Sequence, residues 1–223
     1  MNTRNDKKGE TGKASINVMG ILIERRTDIL AFTAFLISIG SLMLQTVNII
    51  KGPDVKIEAP KQVLLHSAPY PDKKNYLRIS AKLVYLNKGS PGYDDITKSE
   101  EAMLKIGNRE IKLNAQEYID SGVVDGQLKI VKKSDADPVQ IKSGSVVVHE
   151  TYFVPWPSKG KDSASNFIEF SDVLKALKTQ PELNVTFITT TFSGSKSKVT
   201  CRLLTKEFIH HLEMKNWSAP TCK

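Results

Sequence analysis

From Ile29 to Ile50 the chain runs 22 residues without a charge, ILAFTAFLISIGSLMLQTVNII, and no other stretch restricts its fold as strongly. As a helix the run reaches roughly 33 Å at 1.5 Å per residue, which matches the ~30 Å hydrocarbon core of a bilayer. A single apolar segment in lipid must satisfy its own backbone polar groups, so the expected form is one spanning helix and not strands. The core helix of a soluble domain is the competing use of such a run. A cleaved signal peptide fits less well. Its apolar core would be about 7–15 residues and would end in small residues, whereas this run follows a 28-residue leader and exits through the bulky TVNIIKGPD. The run is read as an uncleaved signal-anchor.

Orientation follows from the cations that flank it. Arg4, Lys7, Lys8, Lys13, Arg25 and Arg26 precede the run, and Lys51, Lys56 and Lys61 follow it. The basic leader is the expected cytoplasmic end, which puts the rest of the chain outside. Within the run, Ala34, Ser38, Ser41 and Gln45 recur near one face, and small or polar residues at that spacing can pack and hydrogen-bond against another helix. Gln45, Thr46 and Asn48 can equally be residues of the wet interface.

The organisation expected is a polar leader (1–28), a transmembrane signal-anchor helix (29–50) and a β-rich soluble domain (51–223). The last has room for one compact domain. The net charge of +8 divides as 6 − 4 = +2 before the run and 26 − 20 = +6 after it. So diffuse an excess does not make the clustered footprint that nucleic acid requires. Both cysteines, Cys201 and Cys222, lie beyond the run. Outside the cytoplasm they are expected to pair and to tether the tail. In the alternative, Cys201 alternates with Val199 and Leu203 on a strand and Cys222 is free.

Alternation dominates the domain. In NYLRISAKLVYLNKG, Leu77, Ile79, Ala81, Leu83 and Tyr85 share one face and Arg78, Ser80 and Lys82 the other, up to a turn at Asn87-Lys88-Gly89. SGSVVVHETYFV, ELNVTFITTTF and KVTCRLL read the same way. The last two are joined as a hairpin through Ser193-Gly194-Ser195, and MLKIGNREIKL makes a shorter hairpin at Gly107-Asn108. Helix signals are few. Thr97 with Glu100, and Asn114 with Glu117, have capping-box spacing. Ser171 precedes DVLKALK, and TKEFIHHLEMK is a helix or a last strand. Some seven strands with scant helix predict a mainly β fold: an antiparallel β-sandwich-like domain, of which the immunoglobulin-like arrangement is one form, with a few short helices.

No catalytic motif emerges. His149-Glu150 lacks the second histidine of a zinc-protease helix, and its two side chains fall on opposite faces of a strand. His210, His211 and Glu213 have no further ligand at metal spacing, and Asp94-Asp95 and Glu100-Glu101 do not follow a calcium-loop pattern. No cofactor is implied. One pattern occurs twice: APYPDKK (68–74) and VPWPSKGK (154–161) each hold an aromatic between prolines and follow it with a lysine pair. Tyr70, Lys73, Lys74, Trp156, Lys159 and Lys161 form the candidate contact surface. Asn184-Val-Thr and Asn216-Trp-Ser are glycosylation acceptors only in a eukaryotic secretory pathway.

The function expected is a single-pass membrane-anchored protein whose extracytoplasmic β-rich domain is a binding, sensor or assembly module, with a protein partner or a second copy and no nucleic acid. The alternatives are a membrane-anchored enzyme with scattered catalytic residues and a β domain facing the cytoplasm. An uncleaved, leader-in anchor makes a direct prediction. Alkaline carbonate leaves the protein in the membrane pellet with an intact leader, and protease added to intact cells or spheroplasts digests the chain beyond Lys51. Release by carbonate, an N-terminus near residue 51, or resistance until the membrane is opened overturns the assignment.

Overall fold

In the computed structural model of the chain, residues 15–18, 21–24, 27–70, 72–155 and 168–223 are described. The chain divides into two units, Met1–Ile50 and Lys51–Lys223. In the first, β1 (Ser15–Val18) and β2 (Ile21–Glu24) pair antiparallel, and helix α1 follows over Thr27–Lys51. The Ile29–Val47 stretch of α1, with mean hydropathy 1.8, is long and apolar enough to cross a membrane. Its large side chains, among them Leu30, Phe35, Ile37 and Leu44, are exposed. The hydroxyls of Thr33, Ser38 and Thr46 donate to the carbonyls of Ile29, Ala34 and Leu42 one turn back, so they satisfy themselves within the helix.

Among the described residues the second unit is mainly β, a curled antiparallel sheet with two short helices. Its strands are β3 (Val55–Glu58), β4 (Val63–Pro69), β5 (Asn75–Asn87), β6 (Asp95–Ile106), β7 (Arg109–Val124), β8 (Gln127–Asp135), β9 (Gln140–Ile141) and β10 (Val146–Pro155). Helix α2 (Phe170–Lys178), β11 (Glu182–Thr191), β12 (Lys196–Leu204), α3 (Thr205–Lys215) and β13 (Trp217–Ser218) complete it. The main path across the sheet is β12-β11-β6-β7-β10-β5-β4-β13, with β3 also on β5, β8 also on β7 and β9 on β6.

Period-two patterning builds the core. Leu77, Ile79, Leu83 and Tyr85 of β5, Leu104 of β6, Phe153 of β10, and Val185 and Phe187 of β11 all face inward and are buried. Helix α2 adds Phe170, Val173 and Leu177, and α3 adds Phe208 and Leu212. TKEFIHHLEMK is thus a helix; it ends at Asn216, whose positive φ of 59° an asparagine accepts readily. Both expected hairpins form, β6–β7 around Gly107-Asn108 and β11–β12 around Ser193-Gly194-Ser195. Asn87 ends β5 as expected. Its fully buried amide donates to the carbonyls of Tyr93 and Ile141 and accepts from the N–H groups of Asp54 and Gly89.

Three expectations are corrected. Thr97 and Glu100 lie inside β6, and Asn114 and Glu117 inside β7, so neither pair caps a helix. Cross-strand pairing overrides that short-range signal. Helix α2 begins one residue before Ser171, behind Glu169, with no side-chain cap bond. Among the described residues the sheet also has eleven strands where some seven were expected. The extra ones are two- to four-residue strands and β8, whose lysines hide its alternation.

The curl is closed by residues 219–223. The Val63 N–H donates to the Pro220 carbonyl (3.1 Å) and the Cys222 N–H to the Lys61 carbonyl (3.0 Å), while Lys223 exchanges two backbone bonds with Arg202 of β12 (3.2 and 3.3 Å). Beside it the Ile57 N–H of β3 donates to Ser197 Oγ of β12 at 3.0 Å. Cys201 and Cys222 sit at disulfide distance, with Cα atoms 5.1 Å apart at a sequence separation of 21. A covalent loop of that length contributes about 3 kcal/mol by restricting the unfolded chain. Unfolded, unreduced protein is accordingly expected to show no free thiol, and reduction to lower the unfolding free energy of a 52–223 fragment by about 2–4 kcal/mol. Two titratable thiols before reduction exclude the bond.

Candidate functional site

Strands β4, β5 and β10 have a second face. Because Leu65, Leu77, Ile79 and Phe153 point into the core, their neighbours His66, Arg78, Ser80 and Tyr152 point outward. Strand register then lines these residues up across the sheet. Trp217 of β13 pairs with His66, His66 with Arg78, and Tyr152 with both Ser80 and Glu117. No two of these strands are neighbours in sequence except β4 and β5, so pairing alone assembles the row.

Arg78 is its centre. Its Nη1 donates to the Tyr152 hydroxyl (3.0 Å) and its Nη2 to the Pro69 carbonyl (2.9 Å). The guanidinium carbon lies 5.7 Å from the Tyr152 ring centroid and 6.0 Å from that of Tyr70, within cation–π range of both. Among the described residues no carboxylate forms an ion pair with it. His66 stacks on Tyr152 at 5.3 Å and is 4% exposed. Burial, reinforced by the Arg78 charge, lowers its pKa from 6.5 to about 4, so the ring is neutral at pH 7. His66 Nε2 and Arg78 Nε are buried without hydrogen-bond partners. Burial raises the Tyr152 pKa, against the opposing bond and charge of Arg78.

A hairpin overhangs this row. Strands β7 and β8 join through Asp125-Gly126, both at positive φ (52° and 75°), the two-residue turn that the Asp-Gly sequence favours. Ile130 of β8 packs on Ile119, Tyr152 and Val154, which holds the hairpin against the outer face. Between hairpin and sheet lies a cleft of about 710 Å³ lined by His66, Arg78, Glu117, Leu128, Tyr152, Lys215 and Trp217. A second cleft of about 600 Å³, lined by Lys61, Ser80, Lys82, Val84, Val123, Val148 and Glu150, shares Leu128 and Trp217 with the first. The two clefts adjoin at these residues and are treated together as a groove. Within it Glu117 is bonded to Lys132 (3.2 Å), and Lys215 lies 5.8 Å from the Trp217 ring with no carboxylate partner among the described residues.

The expected contact residues distribute unevenly. Tyr70 is half-buried, packs edge-on against Tyr76 at 5.8 Å and stands beside Arg78. Lys74 pairs with Glu169, and Lys73 is exposed at φ 66° on the turn that closes between Tyr70 and Lys74. Trp156, Lys159 and Lys161 lie outside the described residues. Ala34, Ser38, Ser41 and Gln45 are all exposed on α1, with the Ser38 hydroxyl donating to Ala34. Nothing in the local sequence singled out Arg78, His66, Tyr152 or Trp217. The available signal was the outward phase of Arg78 in its alternating strand.

A second polar cluster is a structural network. Glu100, 5% exposed, accepts from Thr151 Oγ1 (2.8 Å) and the Tyr118 hydroxyl (3.3 Å) and contacts His149 Nε2 at 3.0 Å. His149 and Glu150 do point to opposite faces, Glu150 being held by Ser80 and Ser121. His210 and His211 are exposed, and among the described residues no group of three or more His, Cys, Asp or Glu side chains is placed to hold a metal ion.

No known protein family matches the chain, and no curated protein does. Among solved structures it is similar to the sporulation control protein Spo0M of Bacillus subtilis, at 11% identity and a TM-score of 0.29, over 67% of this chain. The chain spans 48% of that protein's length, a little under half.

The buried His66 makes stability pH-dependent. Below pH 6.5 the unfolded chain takes up a proton that the folded one refuses until about pH 4, so this contribution is lost as pH falls through that window. Between pH 6.5 and 5 the 52–223 fragment is expected to lose roughly 2 kcal/mol more than its His66→Phe variant, at 1.36 kcal/mol per unit. Urea unfolding at pH 7, 6 and 5 measures it, and parallel curves for the two proteins contradict the assignment.

Proposed function

We propose that this chain is a single-pass membrane-anchored protein whose β-rich unit acts by binding, as a sensor or assembly subunit of a membrane-associated complex. The observation that carries the reading is the groove, above all its guanidinium held between two tyrosine rings with no ionic partner among the described residues. A folded surface ordinarily neutralises such a group or leaves it free in solvent. An arginine ordered by aromatic rings and half-withdrawn from water is the kind of anchor found at the centre of protein contacts.

The anchor is assigned to α1, supported by its length, its apolar composition and the exposure of its side chains. The leader is assigned to the cytoplasm on its basic residues and the β-rich unit to the outside, for which cysteines at disulfide distance also speak. The curled sheet is read as sandwich-like because its β3 and β12 ends meet over a common core. No immunoglobulin assignment is added to that reading.

The test is site-directed crosslinking in the native membrane. A photo-reactive residue at position 128, in the groove wall, is expected to capture a defined partner, and Arg78→Gln is expected to reduce that adduct at least tenfold at equal protein abundance. An adduct pattern unchanged by the substitution removes the groove as the binding site.

A further inference from the structure

The charges and edges around the groove specify its occupant further. Arg78 uses two of its five N–H groups on Tyr152 and Pro69. A guanidinium with N–H groups to spare matches the two oxygens of a carboxylate. Lys215 adds a second cation without a carboxylate partner among the described residues, while the nearby acid, Glu117, is already engaged by Lys132. The unneutralised charge at this end is therefore positive. Beyond Leu128 the groove changes character: Val123 and Val148 present side chains 55% and 47% exposed, and Val84 lies beside them. A small anion would leave that apolar stretch in water.

Strand β8 completes the picture. Among the described residues it pairs with β7 alone, so its other edge carries backbone groups free to bond an added strand. An extended segment beside β8 would place alternate side chains toward the groove floor, its main chain supplying affinity and its side chains specificity.

We propose that the groove receives an extended acidic peptide segment of a partner protein, with an Asp or Glu side chain on Arg78 and apolar side chains over Val84, Val123 and Val148. This rests on the binding reading above. Surface lysines also protect edge strands from unwanted pairing, and β8 carries three. Two of these, Lys132 and Lys133, are occupied by Glu117, Asp135 and Asp120. Among the described residues Arg78 and Lys215 stay unneutralised nonetheless, and an acidic occupant accounts for both.

Phage-displayed random dodecapeptides panned against the full chain in lipid nanodiscs test this. The selected peptides are expected to share one acidic position with apolar residues a few positions away. For a synthetic peptide of that sequence, Arg78→Gln and, separately, replacement of the peptide's Glu by Gln each weaken binding about 10- to 100-fold. Combined, they weaken it scarcely further than either alone. Lys215→Gln, at an exposed position, lowers affinity severalfold with an unchanged unfolding midpoint. The peptide-side change leaves the protein untouched, so it decides the matter even where Arg78→Gln disturbs folding. Failure to enrich any peptide, enrichment without a shared acid, or equal binding of the Glu and Gln peptides overturns the proposal. If the crosslinked partner in membranes still depends on Arg78 after such a result, the binding role stands and only the acidic peptide falls.

Discussion

The fold depends on how a long sheet is stopped from ending in open edges. Residues 219–223 bond to the chain before β4 on one side and to β12 on the other, and the Cys201–Cys222 pair lies on that seam. Exposed edges of this kind invite pairing with other chains, and closing them removes the template. The seam also bears on the site. Trp217 and Ser218, just before it, form β13 against His66 and Leu65, so the segment that closes the curl carries the aromatic wall of the groove. Helix α3 delivers that segment by ending at Asn216, whose left-handed backbone turns the chain onto β4.

The groove follows from a strand that serves two neighbours on one side. Strand β7 is sixteen residues long; its first part pairs with β6 and its last with β8, while β10 runs along its other edge. The register shifts where these partners exchange, between Tyr152 and Phe153 on β10 and between Tyr118 and Ile119 on β7. Such bulges bend and twist a strand. Past them β7 no longer contributes to the main core; its Ile119 belongs instead to the small cluster with Tyr152, Val154 and Ile130. One layer of strands thereby has a packed core on one side and a sheltered groove on the other.

Much of the architecture was legible because it depends on short-range periodicity. The phase of β5, the two tight hairpins, the apolar helix and the amphipathic α2 all follow from which side chains recur at two or at three and four residues. The site was not legible in the same way. Arg78, Tyr152 and Trp217 lie 74 and 65 residues apart along the chain, and each alone is an ordinary member of an alternating strand or a short tail. Register brings them together, and register is set by bulges and the seam, which leave no local signature. Glu100 shows the opposite error: its apparent capping box was a local coincidence that long-range pairing overrode.

The Asp125-Gly126 turn lies beyond Ile130, the last β8 side chain that packs on buried neighbours. The hairpin tip can therefore gain or lose residues without disturbing the interior, provided they come in facing pairs, since an odd step would invert which side chains look into the groove. Across related chains the wall beside Arg78 would vary in height by whole rungs, a dimension of specificity that natural variation or a protein engineer could alter independently of the rest of the fold.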